Sequence, residues 1–271
     1  MKKILFLMLA ALAIIGCGTN DDEVQQGNHV TVTDNIYIPA DEFHYGVSLL
    51  SLKKYDEEGK VLMEKELTPP SEKFVSLPYG ETITLTYDGP RWGRFVNNKI
   101  LLIWNPKEYY TESTELISEV QSFTEELKLT KKRDFILIEK PLNYGENLLI
   151  KYFGSKFEIV NSNLITLEEG TIDQQFEIND NTRYVIENTL VSFYENKFVL
   201  YSLDKGILWN YNVEKYIQSL YPNETQDIKL EITKITCDNG FILSQFKLTF
   251  YDGSNKNISL KLSMGGEVIK S

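Results

Sequence analysis

The chain has 271 residues, of which 42% are apolar and 12% aromatic, and it carries 28 basic against 39 acidic side chains. This length and apolar content suffice for one large or two small domains, each with its own core. The excess of negative charge disfavours nucleic acids as partners, because proteins bind phosphate backbones through basic side chains. It also disfavours adsorption of the folded chain onto anionic lipid head groups.

Residues 1–16 have the order of a secretory signal peptide. Two lysines precede an apolar run of about twelve residues, which is shorter than the roughly twenty that a membrane-spanning helix needs. The run ends in Ile14-Ile15-Gly16-Cys17, which resembles the lipobox of bacterial lipoproteins. The resemblance implies that residues 1–16 are removed and that Cys17 carries lipid on its sulfur and on the new amino terminus. We therefore expect a lipid-anchored protein of the cell envelope.

A polar segment at residues 17–29 is typical of a flexible tether between the lipid and the folded chain. Gly18, in a place where Asp would favour inner-membrane retention, favours the outer membrane, on its periplasmic face or at the cell surface. The cluster Asp21-Asp22-Glu23 resembles the short acidic export signal of Bacteroidetes surface lipoproteins, although a solvated acidic linker explains it equally well. Cys237 is the remaining thiol, so we expect no internal disulfide.

Residues 30–90 have the pattern of a small antiparallel domain. Residues 81–87 alternate Thr with apolar side chains, which is the period of a half-buried strand. Segments 47–55 and 60–67 flank a turn at 56–59 and predict a hairpin. The strand count resembles that of an immunoglobulin-like sandwich, without the cysteine pair of antibody domains. We place the domain boundary at Asp88-Gly89-Pro90.

Residues 91–271 predict a larger β-rich domain, so the fold class is mainly β with antiparallel sheets. Apolar residues at helical spacing predict one helix at 113–128 and a second at 213–221, with Asn212 as its N-cap. Leu200 to Trp209 resembles one repeat of a quinoprotein-type β-propeller. A propeller needs several repeats and the match occurs once, so we carry no function over from the resemblance.

The residue types that usually carry catalysis or bind metals are scarce. The two histidines, His29 and His44, lie near the start of the chain, and neither accompanies a nucleophile elbow or a zinc-ligand pattern. No nucleotide-binding motif is present. Cys237 has no basic neighbourhood to activate it, so we interpret it as a half-buried small apolar residue. We predict no catalytic residue, no metal and no cofactor.

A Gly- and Pro-rich segment at residues 89–94 holds Trp92 between Arg91 and Arg94. An exposed Trp can stack on a sugar or anchor a protein, and arginines suit carboxylates, so these three residues are the predicted ligand-binding site. In the alternative interpretation, Trp92 fills the joint between two sheets and both arginines are solvated.

We hypothesise a non-catalytic envelope or surface lipoprotein that binds a protein or glycan partner. The hypothesis rests on the lipobox, the all-β pattern and the missing catalytic motifs. A carboxylate-based glycan hydrolase is one alternative, since a chain with 39 acidic residues always offers carboxylate pairs. An immunity or inhibitor lipoprotein is another, because small acidic proteins can mimic polyanions. The oligomeric state is left open.

Overall fold

The computed structural model describes residues 35–269 except 41, 49, 77–81, 108–115, 153, 223–227 and 239. The predicted signal peptide, Cys17 and the predicted tether lie outside the described residues. Within the described part of the chain, no helix is long and apolar enough to cross a membrane.

The first sheet contains the hairpin that the sequence predicts around residues 56–59. Its strands follow in chain order and pair antiparallel: β1 (Ile36–Pro39), β2 (His44–Ser48), β3 (Ser51–Tyr55) and β4 (Val61–Glu66). In the turn between β3 and β4, Asp56 Oδ1 accepts hydrogen bonds from the backbone N–H groups of Glu58 and Lys60. Gly59 adopts φ +80°, which glycine reaches without steric cost. A separate two-stranded hairpin follows, β5 (Lys73–Ser76) and β6 (Thr82–Leu85).

Four further sheets follow, each a run of consecutive antiparallel strands. The second contains β7 (Trp92–Val96), β8 (Lys99–Trp104), β9 (Ile117–Thr124) and β10 (Leu129–Ile136). The third contains β11 (Ile138–Tyr144), β12 (Asn147–Tyr152), β13 (Lys156–Val160) and β14 (Thr166–Thr171). The fourth contains β15 (Arg183–Ile186), β16 (Thr189–Tyr194), β17 (Lys197–Ser202) and β18 (Gly206–Asn212), and the segment from Leu200 to Trp209 lies in its last two strands. The fifth contains β19 (Lys229–Asp238), β20 (Phe241–Thr249) and β21 (Asn255–Ser263).

The five sheets are arranged as the blades of a five-bladed β-propeller. The first strand of each sheet contacts the first strand of the next, in the series β1, β7, β11, β15 and β19. Four apolar cores fill the spaces between successive sheets. The middle strands β8, β9 and β12 are therefore buried on both faces, whereas the outer strand β4 is exposed along its length. Among the described residues, no core of comparable extent joins the fifth sheet to the first.

The predicted immunoglobulin-like sandwich at residues 30–90 is wrong. The apolar face of the first sheet packs on the second sheet and on the β5–β6 hairpin, and this core includes Ile100, Leu102 and Phe123 from beyond residue 90. Alternation within a strand shows that one face is buried, but it does not show which other sheet covers that face.

The predicted helix at 113–128 is also wrong where the structure describes it, because residues 117–124 form β9. The apolar residues of this segment lie at helical spacing, but the polar residues between them in β9, Ser118, Glu119, Gln121 and Ser122, are buried and hydrogen-bonded as well. Ser118 Oγ donates to Asn105 Oδ1 over 2.7 Å, and Ser122 Oγ donates to the carbonyl of Ser162 over 2.8 Å. A strand buried on both faces loses the alternation that would identify it. Residues 113–115 lie outside the described residues.

The second predicted helix is confirmed. It is α1 (Val213–Leu220), and Asn212 caps it by accepting a hydrogen bond from the backbone N–H of Glu214. Val213 and Ile217 are buried in the core between the fourth and fifth sheets. Like the β5–β6 hairpin, α1 contributes apolar side chains to the space between two sheets.

A candidate binding groove between the first two sheets

An open groove of about 610 Å³ lies between β4 and the neighbouring end of β9 and β10. The blades of a propeller spread apart towards its rim, and the groove is the outer part of the space between the first and second sheets. Its floor contains three buried side chains, Leu67, Phe123 and Leu127. At its mouth lie Met63 and Leu129, which remain 41% and 45% exposed. The groove is therefore open to solvent and has an apolar floor, and its lining also includes charged residues on both sides, Glu64, Lys65 and Glu66 on β4 and Glu126 and Lys128 on the facing turn.

The turn at residues 125–128 forms one wall of the groove and is held by local hydrogen bonds. The backbone N–H of Thr124 donates to the carbonyl of Lys128, and Thr124 Oγ1 accepts from the N–H of Glu126. The Thr124 hydroxyl also holds the pKa of the Glu126 carboxyl below its ordinary value, so this side chain is charged at neutral pH. The buried Lys54 lies 3.9 Å from Glu125 and ties the turn to the first sheet.

Behind the groove, a buried carboxylate and its neighbour Gln121 connect the second sheet with the β5–β6 hairpin and with Thr68, which follows β4. Glu119 accepts a 2.8 Å hydrogen bond from Gln121 Nε2, which also donates to the carbonyl of Thr68 over 3.2 Å. Lys73 of the hairpin and Lys132 of β10 lie 3.8 and 3.7 Å from the Glu119 carboxylate. Separating the buried Glu119 carboxylate from its lysine partners would leave its charge uncompensated, so these contacts oppose movement of β9 relative to the hairpin. Gln121, which lines the groove, is thereby held in place.

Strand β4 presents a free backbone edge to the groove. The N–H of Leu67 donates to the carbonyl of Leu50 over 2.6 Å, which identifies this pair as hydrogen-bonded. Because hydrogen-bonded pairs alternate along an antiparallel ladder, Lys65 and Met63 also bond towards β3. The N–H and C=O groups of Glu64 and Glu66 therefore point away from β3, and no described residue pairs with them.

The first half of β4 is apolar although β4 is an outer strand, and its second half, Glu64-Lys65-Glu66, is charged. Val61, Leu62 and Met63 are consecutive and remain 45%, 45% and 41% exposed. Proteins commonly protect free strand edges with charged residues, as the run from Lys131 to Arg133 does on β10, the outer strand of the second sheet. The first three residues of β4 carry no such charge, whereas Glu64, Lys65 and Glu66 do.

The structure places the predicted ligand-binding residues away from this groove. Trp92 begins β7 and is 5% exposed in the core between the second and third sheets, so the exposed loop expected there is wrong. Trp92 instead occupies a joint between two sheets, as in the alternative interpretation. Arg94 is buried and not solvated, and it donates to the carbonyls of Gly93 and Pro141 over 2.8 and 3.3 Å. Arg91 is exposed, with its guanidinium carbon 4.8 Å from the centroid of the Trp92 ring. Ligand binding by these residues stays a prediction.

Two other residues considered from the sequence have structural surroundings. His44 Nδ1 lies 2.9 Å from the hydroxyl of Tyr37 in the first sheet. Cys237 is partly buried and packs against the core between the fourth and fifth sheets. Among the described residues, no three His, Cys, Asp or Glu side chains come together in a cluster that could hold a metal ion.

A hydrogen-bonded carboxylate joins the second and third sheets on the side remote from the groove. Glu158 accepts hydrogen bonds from the Tyr152 hydroxyl, the Thr166 hydroxyl and Arg133 Nη2 over 2.6, 2.8 and 2.9 Å. Burial opposes ionisation of Glu158, but these three donors outweigh it and lower the pKa of its carboxyl. Burial, followed by the hydrogen bond to Glu158, raises the pKa of the Tyr152 hydroxyl. This network holds β10 against β13 and β14.

Comparisons with known proteins assign no family to this chain. No protein-family model matches it, and no curated protein matches it. Among solved structures, a Bacteroides caccae protein of unknown function is similar at 11% identity and a TM-score of 0.45, covering 86% of this chain and 79% of that one. The WD40 domain of Neurospora crassa Pan2 is similar at 7% identity and a TM-score of 0.46, covering 86% of this chain and 63% of that one. BamB from Moraxella catarrhalis is similar at 9% identity and a TM-score of 0.28, covering 86% and 94%. At these scores the likenesses carry no functional argument, and the groove has to be interpreted from its own geometry.

Proposed function

We propose that the protein is a lipid-anchored envelope protein that binds a protein partner in the groove beside β4. In this proposal an extended segment of the partner adds to the first sheet as a further strand. The lipid on Cys17 supplies the membrane attachment, because the net negative charge of the chain disfavours adsorption onto anionic head groups.

The observation that carries the proposal is the free edge of β4 beside a groove with an apolar floor. Backbone groups of Glu64 and Glu66 point outward at the spacing of a strand, and another extended chain has donors and acceptors at the same spacing. The main-chain hydrogen bonds would contribute affinity, and the groove would receive every second side chain. A glycan has no such repeating backbone, so the geometry favours a protein over a glycan partner.

A proline substitution can remove the proposed docking bond without disturbing the sheet. In Glu64→Pro, the lost N–H is one that points away from β3, so the ladder between β3 and β4 remains intact. Glu64→Gln is the matched control, because it removes the charge and keeps the N–H. If a strand adds at β4, binding should be lost in Glu64→Pro and retained in Glu64→Gln.

The measurement is site-specific photocross-linking of the full lipoprotein in native envelopes. A photoreactive residue at Met63 should cross-link to one protein, whereas the same residue at Leu208, equally exposed on the outer strand β18, should not. The purified partner should then bind the wild type and Glu64→Gln, but not Glu64→Pro. Equal cross-linking from both positions, or unchanged binding by Glu64→Pro, would overturn the proposal.

A further inference from the structure

We infer that the segment bound at β4 alternates apolar side chains with basic ones. This inference rests on the proposed function and specifies the chemistry of the partner. It follows from the different surroundings of the two faces of an added strand.

One face of the added strand would meet acidic side chains. Glu64 and Glu66 are exposed, and they lie on the face of the first sheet that points away from the second sheet. Their backbone groups are the ones free to pair, so partner residues would stand directly opposite them. Opposite charges facing each other across strands stabilise a sheet and like charges destabilise it, so Lys or Arg fits these positions and Asp or Glu does not.

The other face would meet the groove, whose floor is apolar and whose lining also includes Lys65 and Lys128. Met63 pairs with Lys54 of β3, so both side chains lie on the same face of the first sheet. Leu52 lies on this face too and is part of the core between the first two sheets. Side chains of the added strand next to Met63 would therefore point towards Phe123, Leu127 and Leu129. An apolar side chain there would bury surface that is now in contact with water, whereas a charged one would lose hydration.

The same pattern disfavours a second copy of this chain in the register that pairs Glu64 with Glu64. Two carboxylates would face each other across the new strand pair, and Glu66 would face Leu62. Removal of the predicted signal peptide takes Lys2 and Lys3 from the 28 basic side chains, which leaves 26 against 39 acidic ones. This net negative charge of the protein also favours a basic segment. β4 has six residues, so about six to eight residues of partner would occupy the edge.

The test uses two synthetic eight-residue peptides, one alternating Val with Lys and one alternating Val with Glu. Their dissociation constants for the purified protein are measured by fluorescence anisotropy in low salt. We expect the Lys peptide to bind about tenfold more tightly, a ratio that corresponds to about 1.4 kcal/mol. The double variant Glu64→Lys, Glu66→Lys should reverse the preference.

A matched double variant, Glu168→Lys with Glu169→Lys, controls for net charge. These exposed residues lie on the outer strand β14, so their reversal changes the charge of the protein by the same amount at a different edge. The control should keep the preference for the Lys peptide. Equal binding of both peptides, or reversal by the control variant, would overturn the inference.

A further outcome separates this inference from the proposed function. If neither peptide binds, the alternating basic pattern is wrong. The Glu64→Pro experiment with the cross-linked partner then shows independently whether the groove binds protein through another pattern.

Discussion

The contact between the first strands of the first two sheets can be tested at Gly93. This glycine lies in β7, and a Cβ placed on it would come 2.2 Å from Cδ1 and 2.6 Å from Cγ1 of Ile38 in β1. Ile38 is 1% exposed in the core between the first two sheets, and Cγ2 of Ile36 lies 3.2 Å from the same Cβ position. Gly93→Ala should therefore overpack the joint and cost about 1–3 kcal/mol of unfolding free energy.

The sign of this effect is informative. In an open strand, replacing Gly with Ala usually stabilises by about 0.5–1 kcal/mol, because Gly loses more backbone freedom on folding. A destabilised Gly93→Ala thus indicates that β1 and β7 are in contact, as the propeller requires.

A double-mutant cycle with Ile38→Val identifies the colliding atom. This substitution removes Cδ1 and should cost about 0.5–1.5 kcal/mol by itself. In the double variant, part of the clash is relieved. The sum of the losses of unfolding free energy in the two single variants should therefore exceed the loss in the double variant by about 1 kcal/mol. Urea unfolding at pH 7 measures all four proteins, and an unchanged slope against urea would show that the unfolded states are comparable. A neutral or stabilising Gly93→Ala, with additive costs in the cycle, would refute the proposed packing of the first sheet on the second.

Three further predictions concern the second and third sheets and the lipid anchor. Trp92→Ala should lower the unfolding free energy by about 3–5 kcal/mol in the same assay because the ring fills a core, whereas Arg91→Ala should lower it by about 1 kcal/mol or less. Equal small effects would show that the Trp92 ring is not buried. Glu158→Gln should lower the melting temperature at pH 7. Because the pKa of Glu158 is lowered in the folded state, its carboxylate stabilises the fold at pH values above its ordinary pKa. This stability is lost as the pH falls through the folded pKa, so the melting temperatures of wild type and variant should converge in acid. A constant difference down to about pH 2 would contradict this. Cys17→Ser should release the protein from the membrane or leave its signal uncleaved, and mass spectrometry showing an unmodified Cys17 in the wild type would defeat the lipoprotein assignment.

Much of the local structure follows from the sequence by itself. The alternation in residues 242–248 and 258–262 predicts two strands with one buried face, and these residues lie in β20 and β21. The cap at Asn212 and the apolar spacing after it predict α1. In each case the signal is contained within one turn or one strand, where the chain itself supplies the neighbours.

The sequence was misleading where a strand is buried on both faces. In β9, Glu119 and Gln121 are buried, and partners far along the chain, including Lys73 and Thr68, satisfy their polar groups. Polar residues in such a strand resemble a solvated helix face because the distant partners are invisible in the local pattern. Trp92 was ambiguous for the same reason, since its burial depends on the third sheet.

Only the tertiary structure decided how the sheets are arranged and where the groove lies. Residues 61–63 are consecutive apolar residues without alternation, so the sequence does not indicate which face of this segment is exposed to solvent. The sequence could not show that these residues form an outer strand, or that the turn at 125–128 lies across from them. Short strands of similar pattern can stack as a sandwich or radiate as blades, because the apolar face of a sheet requires burial but does not specify which neighbour supplies it.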